Sequence, residues 1–213
     1  MYKKFLLVVV SVITIQAAKA QTEKGSQNLG ITFGISTATT KQNTLIINNA
    51  IDHANVKQKS YSISPDYSYF IADKLDIGVG LGYSYSDAKY NSTNDVHEQK
   101  DKSFTGTVAL RKYFLFDNKI GIRTGPFVTY QKIKSNYIYA TNTNDYNGDY
   151  YAGGIGLDFV YYPAKNIGLA ANLGNVRYSH QKFTGDTQGT NNAFNLSFTD
   201  NLTLSVYYVF GKK

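Results

Sequence analysis

Cysteine and tryptophan are absent from the 213 residues, and proline (3) and methionine (1) are scarce. Without a thiol there is no disulfide scaffold, no thiolate zinc site, no iron–sulfur cluster and no cysteine nucleophile. Charge is also thin: Asp, Glu, Lys and Arg make up 17% of the chain, where about 25% is usual for a soluble domain. The net charge of +7 is spread along the chain and falls to +4 once Lys3, Lys4 and Lys19 are set aside. That leaves no basic footprint for nucleic acid. After the first twenty residues no apolar run reaches the ~20 residues that a membrane helix needs. What is abundant is tyrosine, 19 residues beside 12 phenylalanines. Few charges with many amphipathic rings describe a surface that meets something other than water.

The start of the chain reads as an address. Lys3 and Lys4 precede an apolar run from Phe5 to Ile15, and Ala18-Lys19-Ala20 places small residues at a cleavage site. Residues 1–20 are therefore expected to be a secretory signal peptide cut between Ala20 and Gln21, with one domain over 21–213.

From there on the hydrophobic period is two. Tyr61, Ile63, Pro65, Tyr67 and Tyr69 alternate with Ser60, Ser62, Ser64, Asp66 and Ser68; Leu75, Ile77, Val79, Leu81, Tyr83 and Tyr85 alternate with Asp76, Gly78, Gly80, Gly82, Ser84 and Ser86. The pattern predicts eight strands, near 27–37, 57–70, 75–86, 103–115, 119–133, 150–162, 166–180 and 193–210. A bulge is expected near Gly174-Asn175. Asp200 falls on the apolar face of the eighth strand. Most of these strands run ten to fifteen residues, enough for the about 9–11 that a tilted strand needs to cross a bilayer. Their connections alternate: 38–56, 87–102, 134–149 and 181–192 are long and polar, whereas 71–74, 116–118 and 163–165 are short. Membrane barrels segregate short periplasmic turns from long outer loops in this way. The small face, with Gly78, Gly80, Gly82, Gly154 and Gly156, could not fill a water-excluding core. The Tyr/Ile/Leu face therefore points outward. The expected fold is all-β: an eight-stranded antiparallel up-and-down transmembrane β-barrel with short periplasmic turns and long extracellular loops.

The stretch from Ser64 to Gly80, with Leu110-Arg111-Lys112-Tyr113-Phe114 and Tyr161 to Leu169, resembles the outer-membrane protein β-barrel family, small porin-like barrels akin to the transmembrane domain of outer-membrane protein A. The chain end, Thr203, Tyr208 and Phe210, is similar to the assembly signal of such barrels, although Ser205 stands where glycine is usual and Gly211-Lys212-Lys213 follow the terminal aromatic. The resemblance implies location in the outer membrane of a Gram-negative bacterium. The implied partners are outer-membrane lipid and lipopolysaccharide, the barrel-assembly machinery and an extracellular ligand of the loops.

Five charges fall on the small phase near the short turns: Asp66, Asp76, Arg111, Arg123 and Asp158. Buried charges must pair, and an eight-stranded barrel has little room inside. A plugging network is favoured over an ion path. The expected role is structural, adhesive or loop-mediated binding, with a narrow porin-like channel as the alternative. A lipid A-modifying enzyme is the weaker rival. Ser179 and His180 are adjacent in a strand and so face opposite ways, and no triad arrangement appears. A secreted barrel of the lipocalin kind is disfavoured by the missing tryptophan. Gly78-x-Gly80-x-Gly82 has strand spacing and opens no helix, so it is no phosphate loop. Around Asp145-Tyr146-Asn147-Gly148-Asp149 the twelfth ligand position of a calcium loop falls on Gly154, which has no carboxylate. No cofactor or metal is expected.

Overall fold

A computed structural model describes residues 21–46, 50–91, 96–139, 142–185, 188–198 and 204–210. Residues 1–20, the expected signal peptide with Ala20, lie outside the described residues, as do Asp200 and Thr203. The described chain is all strand and turn. Its elements are β1 (Gln27–Ile46), β2 (Ala50–Ala72), β3 (Leu75–Asn91), β4 (Val96–Phe116), β5 (Ile120–Tyr139), β6 (Thr143–Ala164), β7 (Ile167–Gly185), β8 (Gly189–Phe198) and β9 (Leu204–Phe210).

Each strand from β1 to β7 pairs antiparallel with the next, and β9 closes the ring by pairing with both β7 and β1. The result is an up-and-down barrel with eight staves, the eighth made of β8 and β9. Of the strand expected over 193–210, the described parts are β8 and β9, with 199–203 outside the described residues; among the described residues β8 pairs with β7, and β9 with both β7 and β1. The β1–β9 ladder runs from Gln27↔Phe210 to Thr32↔Ser205. The bulge expected near Gly174-Asn175 is present. Leu157 pairs with Gly174 but Asp158 with Asn172, so Leu173 is the extra residue.

The turns at one end are as short as the sequence implied. Lys74, Asp117 and Asn118 have φ of 59°, 48° and 53°, the left-handed geometry that tight hairpins require. At the other end the expected long loops are corrected. Most of their residues continue the ladders: β1 and β2 pair out to Ile46↔Ala50, and β5 and β6 out to Ile138↔Thr143. A two-sided polar strand shows no apolar alternation, so it reads as loop in sequence while its backbone groups still pair.

Outward-facing side chains form a band of apolar residues with aromatics toward its edges. Phe33, Leu81, Phe104 and Val128 are 65–70% exposed. At the hairpin edge Tyr83 packs on Phe104 and Tyr130 on Tyr151, with ring centroids 5.0 and 5.1 Å apart. At the short-turn edge Tyr208 meets Phe210 at 4.6 Å. The inward face carries glycine and hydroxyls, which pair across neighbouring strands: Ser84 with Ser103 at 2.7 Å, Thr107 with Thr129 at 2.9 Å and Thr32 with Ser205 at 2.7 Å.

Candidate functional site: the lumen floor

The inward phase changes character toward the short turns. Phe70, Tyr113, Val160, Tyr162, Ala170, Tyr207 and Val209 are buried together there and form the hydrophobic core. Each lies on the phase that carries glycine and serine higher up, because consecutive residues on one face are two apart. Glycine makes room for the rings. A Cβ on Gly168 would sit 2.8 Å from Tyr162, and one on Gly30 would sit 2.5 Å from both Tyr207 and Asp66 Oδ1. From below, the segment 21–26 is tied to the turns. Lys74 N donates to Thr22 O (2.7 Å), Gly25 N to Phe70 O (2.8 Å) and Lys24 N to Asp73 Oδ1 (2.9 Å). Thr22 and Ser26 are buried.

Four of the five charges singled out in the sequence meet on this floor as two pairs. Arg111 donates from Nε and Nη2 to the two oxygens of Asp76, both at 2.9 Å, a fork-to-fork geometry. Asp76 Oδ2 also accepts from the Tyr113 hydroxyl at 2.8 Å, and Asp76 is fully buried. Arg123 donates from Nε to Asp158 Oδ2 at 2.7 Å, from Nη2 to the Tyr207 hydroxyl at 2.8 Å and from Nη1 to the Tyr113 hydroxyl at 3.3 Å. Its guanidinium also lies over the Tyr207 ring, 5.1 Å from the centroid. Asn172 donates to the remaining oxygen of Asp158 at 2.9 Å. Tyr113 thus links the two pairs into one network.

Asp66 does not join it. Its Oδ2 is buried without a hydrogen-bond partner. Asp66 pairs across the ladder with Gly80, and its Oδ1 lies beside the Tyr207 ring, since both would meet a Cβ on Gly30 at 2.5 Å. Both guanidiniums already hold another carboxylate. Sequence reasoning missed Tyr113, Tyr207 and Asn172. The available signal was large aromatics on the small phase, Phe70, Tyr113, Tyr162 and Tyr207, all close to short turns or to the chain end. Above the floor are two cavities of about 260 and 200 Å³. Arg111 lines both, Asp66 the first, and Arg123 and Asp158 the second.

The remaining candidates are scattered. Ser179 is buried on the inward phase, while His180 Nδ1 lies 2.8 Å from Asn192 Oδ1 on the other side of the sheet. Asp145 and Asp149 stand on β6 and bond to neighbouring strands, Asp145 to Asn136, and Asp149 to Tyr130 at 2.7 Å and Lys132 at 3.0 Å. Among the described residues no group of three or more His, Asp or Glu is placed to hold a metal. Of the chain-end residues, Tyr208 and Phe210 face outward on β9.

No family model and no curated protein matches this sequence. Solved structures do. Ail, the attachment invasion locus protein of Yersinia pestis, superposes with a TM-score of 0.50 at 11% identity, covering 88% of this chain and 99% of Ail. The outer membrane protein OprG of Pseudomonas aeruginosa gives 0.49 at 15% identity, over 91% of this chain and 100% of OprG. A major outer membrane protein of Thermus thermophilus gives 0.46 at 11%, over 86% and 99%. At these identities the likeness to Ail speaks for the fold alone, a small closed antiparallel β-barrel.

Proposed function

We propose that the chain is an integral barrel of a Gram-negative outer membrane, exported by a signal peptide cut ahead of Gln21. In this reading the lumen is shut at the periplasmic end and the protein works through its four long hairpins outside the cell. The role is structural or adhesive, with a ligand bound by the hairpins and no chemistry of its own. Outer-membrane lipid, including lipopolysaccharide, surrounds the band, and the assembly machinery meets the chain end at Tyr208 and Phe210. Support comes from the exposed apolar band with aromatic edges, which only a bilayer would cover.

The observation that carries the closed lumen is the burial of the floor. Tyr113 is 1% and Arg123 6% exposed, and a guanidinium held by one carboxylate and two hydroxyls supports a layer closed to water and ions. Planar-bilayer recording of refolded protein tests this. The expected trace is flat for the wild type. Discrete steps of conductance in the wild type would instead assign the narrow porin-like channel.

A further inference from the structure

At the long-hairpin end the inward phase becomes aromatic again. On β5, Ser135, Tyr137 and Tyr139 lie an even number of residues from Arg123 and so share its inward face. Tyr146 pairs with Ser135, and Phe183 pairs with Gly148, two residues along β6 on the same face. These residues, with Gln188 and Gly189, line a cavity of about 310 Å³, at the lower end of small-molecule sites. Tyr137 and Tyr146 stand at 85° to one another with ring centroids 5.1 Å apart, as two walls of a box do. One strand over, Asp101 is the ladder partner of Ser135. Both of its oxygens accept from Gln99 Nε2, at 3.2 and 3.0 Å, and it is in no ion pair among the described residues. The Tyr90 hydroxyl donates to Oε1 of the same Gln99 at 2.9 Å. Burial, and then the charge on Asp101, push the Tyr137 phenol up, so the carboxylate lies within electrostatic reach of the cavity. Lys100, Lys102, Lys132 and Lys134 all take the opposite, outward phase. The mouth of the barrel thus holds rings and an anion inside and keeps these lysines outside.

We infer that this mouth cavity takes a small organic cation bearing a quaternary ammonium group, held by the faces of Tyr137 and Tyr146 and by the carboxylate of Asp101. The inference rests on the proposed function for the cavity's facing the cell exterior, and it adds a ligand class to that reading. Aromatic faces carry the negative part of the ring quadrupole, so they attract a cation that has no hydrogen bond to donate. Asp101 supplies the counter-charge, and its donor, Gln99, brings no positive charge to cancel it. A neutral sugar could stack on the same rings but would leave the charge on Asp101 uncompensated, and an anion would be repelled by it. Membrane lipid is not the source, because the cavity opens inside the ring whereas acyl chains lie against its outer face.

The experiment uses the refolded barrel in neutral polyoxyethylene micelles. Equilibrium dialysis, corrected against empty micelles, measures the binding of choline, of its uncharged isostere dimethylbutanol and of glucose. Wild type should bind choline about tenfold more tightly than the isostere, the scale of a partly desolvated cation–π contact. Asp101→Asn should erase that preference and leave isostere binding as it was. Tyr137→Leu should weaken choline about fivefold relative to the isostere, whereas Tyr137→Phe, which keeps the ring and loses the hydroxyl, should bind choline as wild type does. Asp149→Asn, which alters an outward carboxylate on β6, should also match wild type. The gel shift of folded barrels screens each variant, and the comparison of choline with its isostere on wild type needs none. Equal binding of those two by wild type would overturn the cation, as would loss of choline in Tyr137→Phe or an undiminished preference in Asp101→Asn. Glucose bound more tightly than choline would assign a saccharide instead. Choline held as expected by a barrel that does not fractionate with outer membrane would uphold the site and overturn only its proposed location.

Discussion

Arg123 is the residue on which the floor turns. It reaches Asp158, Tyr113 and Tyr207 from one guanidinium. Arg123→Ala would leave a carboxylate and two phenols without their donor in a water-poor layer, so refolded barrel should lose about 3–5 kcal/mol, as when one partner of a buried ion pair is deleted. Arg111→Ala should act in the same range through Asp76. Lys119→Ala, at an exposed turn, should cost less than about 1 kcal/mol. Urea unfolding followed by the gel shift of folded barrels compares them, and three equal midpoints would defeat the account of the floor. The two arginines were legible in the sequence as inward charges near short turns. Their hydroxyl partners were not, because alternation reports which face a tyrosine is on but not how far its phenol reaches across a lumen. Asp66 was grouped with them for the same reason: its phase is visible in sequence, whether its carboxylate finds a donor is not.

At the scale of elements, each hairpin outside the band is a strand extension. β1 and β2 stay in register from Gln27↔Tyr69 to Ile46↔Ala50, well beyond the apolar segment that ends at Ile35 and Tyr61. Protease added to intact cells should therefore spare much of the sequence that composition alone would assign to loops, such as 100–102 and 134–138, whose backbone is paired in the ladders. Mass mapping of the released peptides decides it. Cleavage at Asp73, Asp117 or Lys165 instead would mean that the barrel faces the other way. The period of two and the short turns were readable because both are local. The extensions were not, since a polar strand such as the one through Thr39 and Thr40 differs from a loop only in having a partner, here Lys57 and Val56 of the neighbouring stave.

The whole molecule is a closed ring with nearly all its pairing between sequence neighbours, and one seam that is not. Thr32 and Ser205, 173 residues apart along the chain, share a hydrogen bond of 2.7 Å at the top of the β1–β9 ladder. Joining such distant segments is entropically late and slow, whereas each hairpin can zip locally. The order of events can be timed, because the chain has no thiol of its own. In an Ile31→Cys, Val206→Cys double variant, a pair that faces outward across the seam, the cross-link should form on a slower time course than strand signal in circular dichroism. A cross-link that keeps pace with the dichroism would mean that the ends meet first and the sheet grows from them. If closure is last, every refolding molecule passes through an open sheet whose first and last strands are both bare edges. In that interval two chains can complete each other's rings, and dilution during refolding, more than temperature, will set the yield of single barrels.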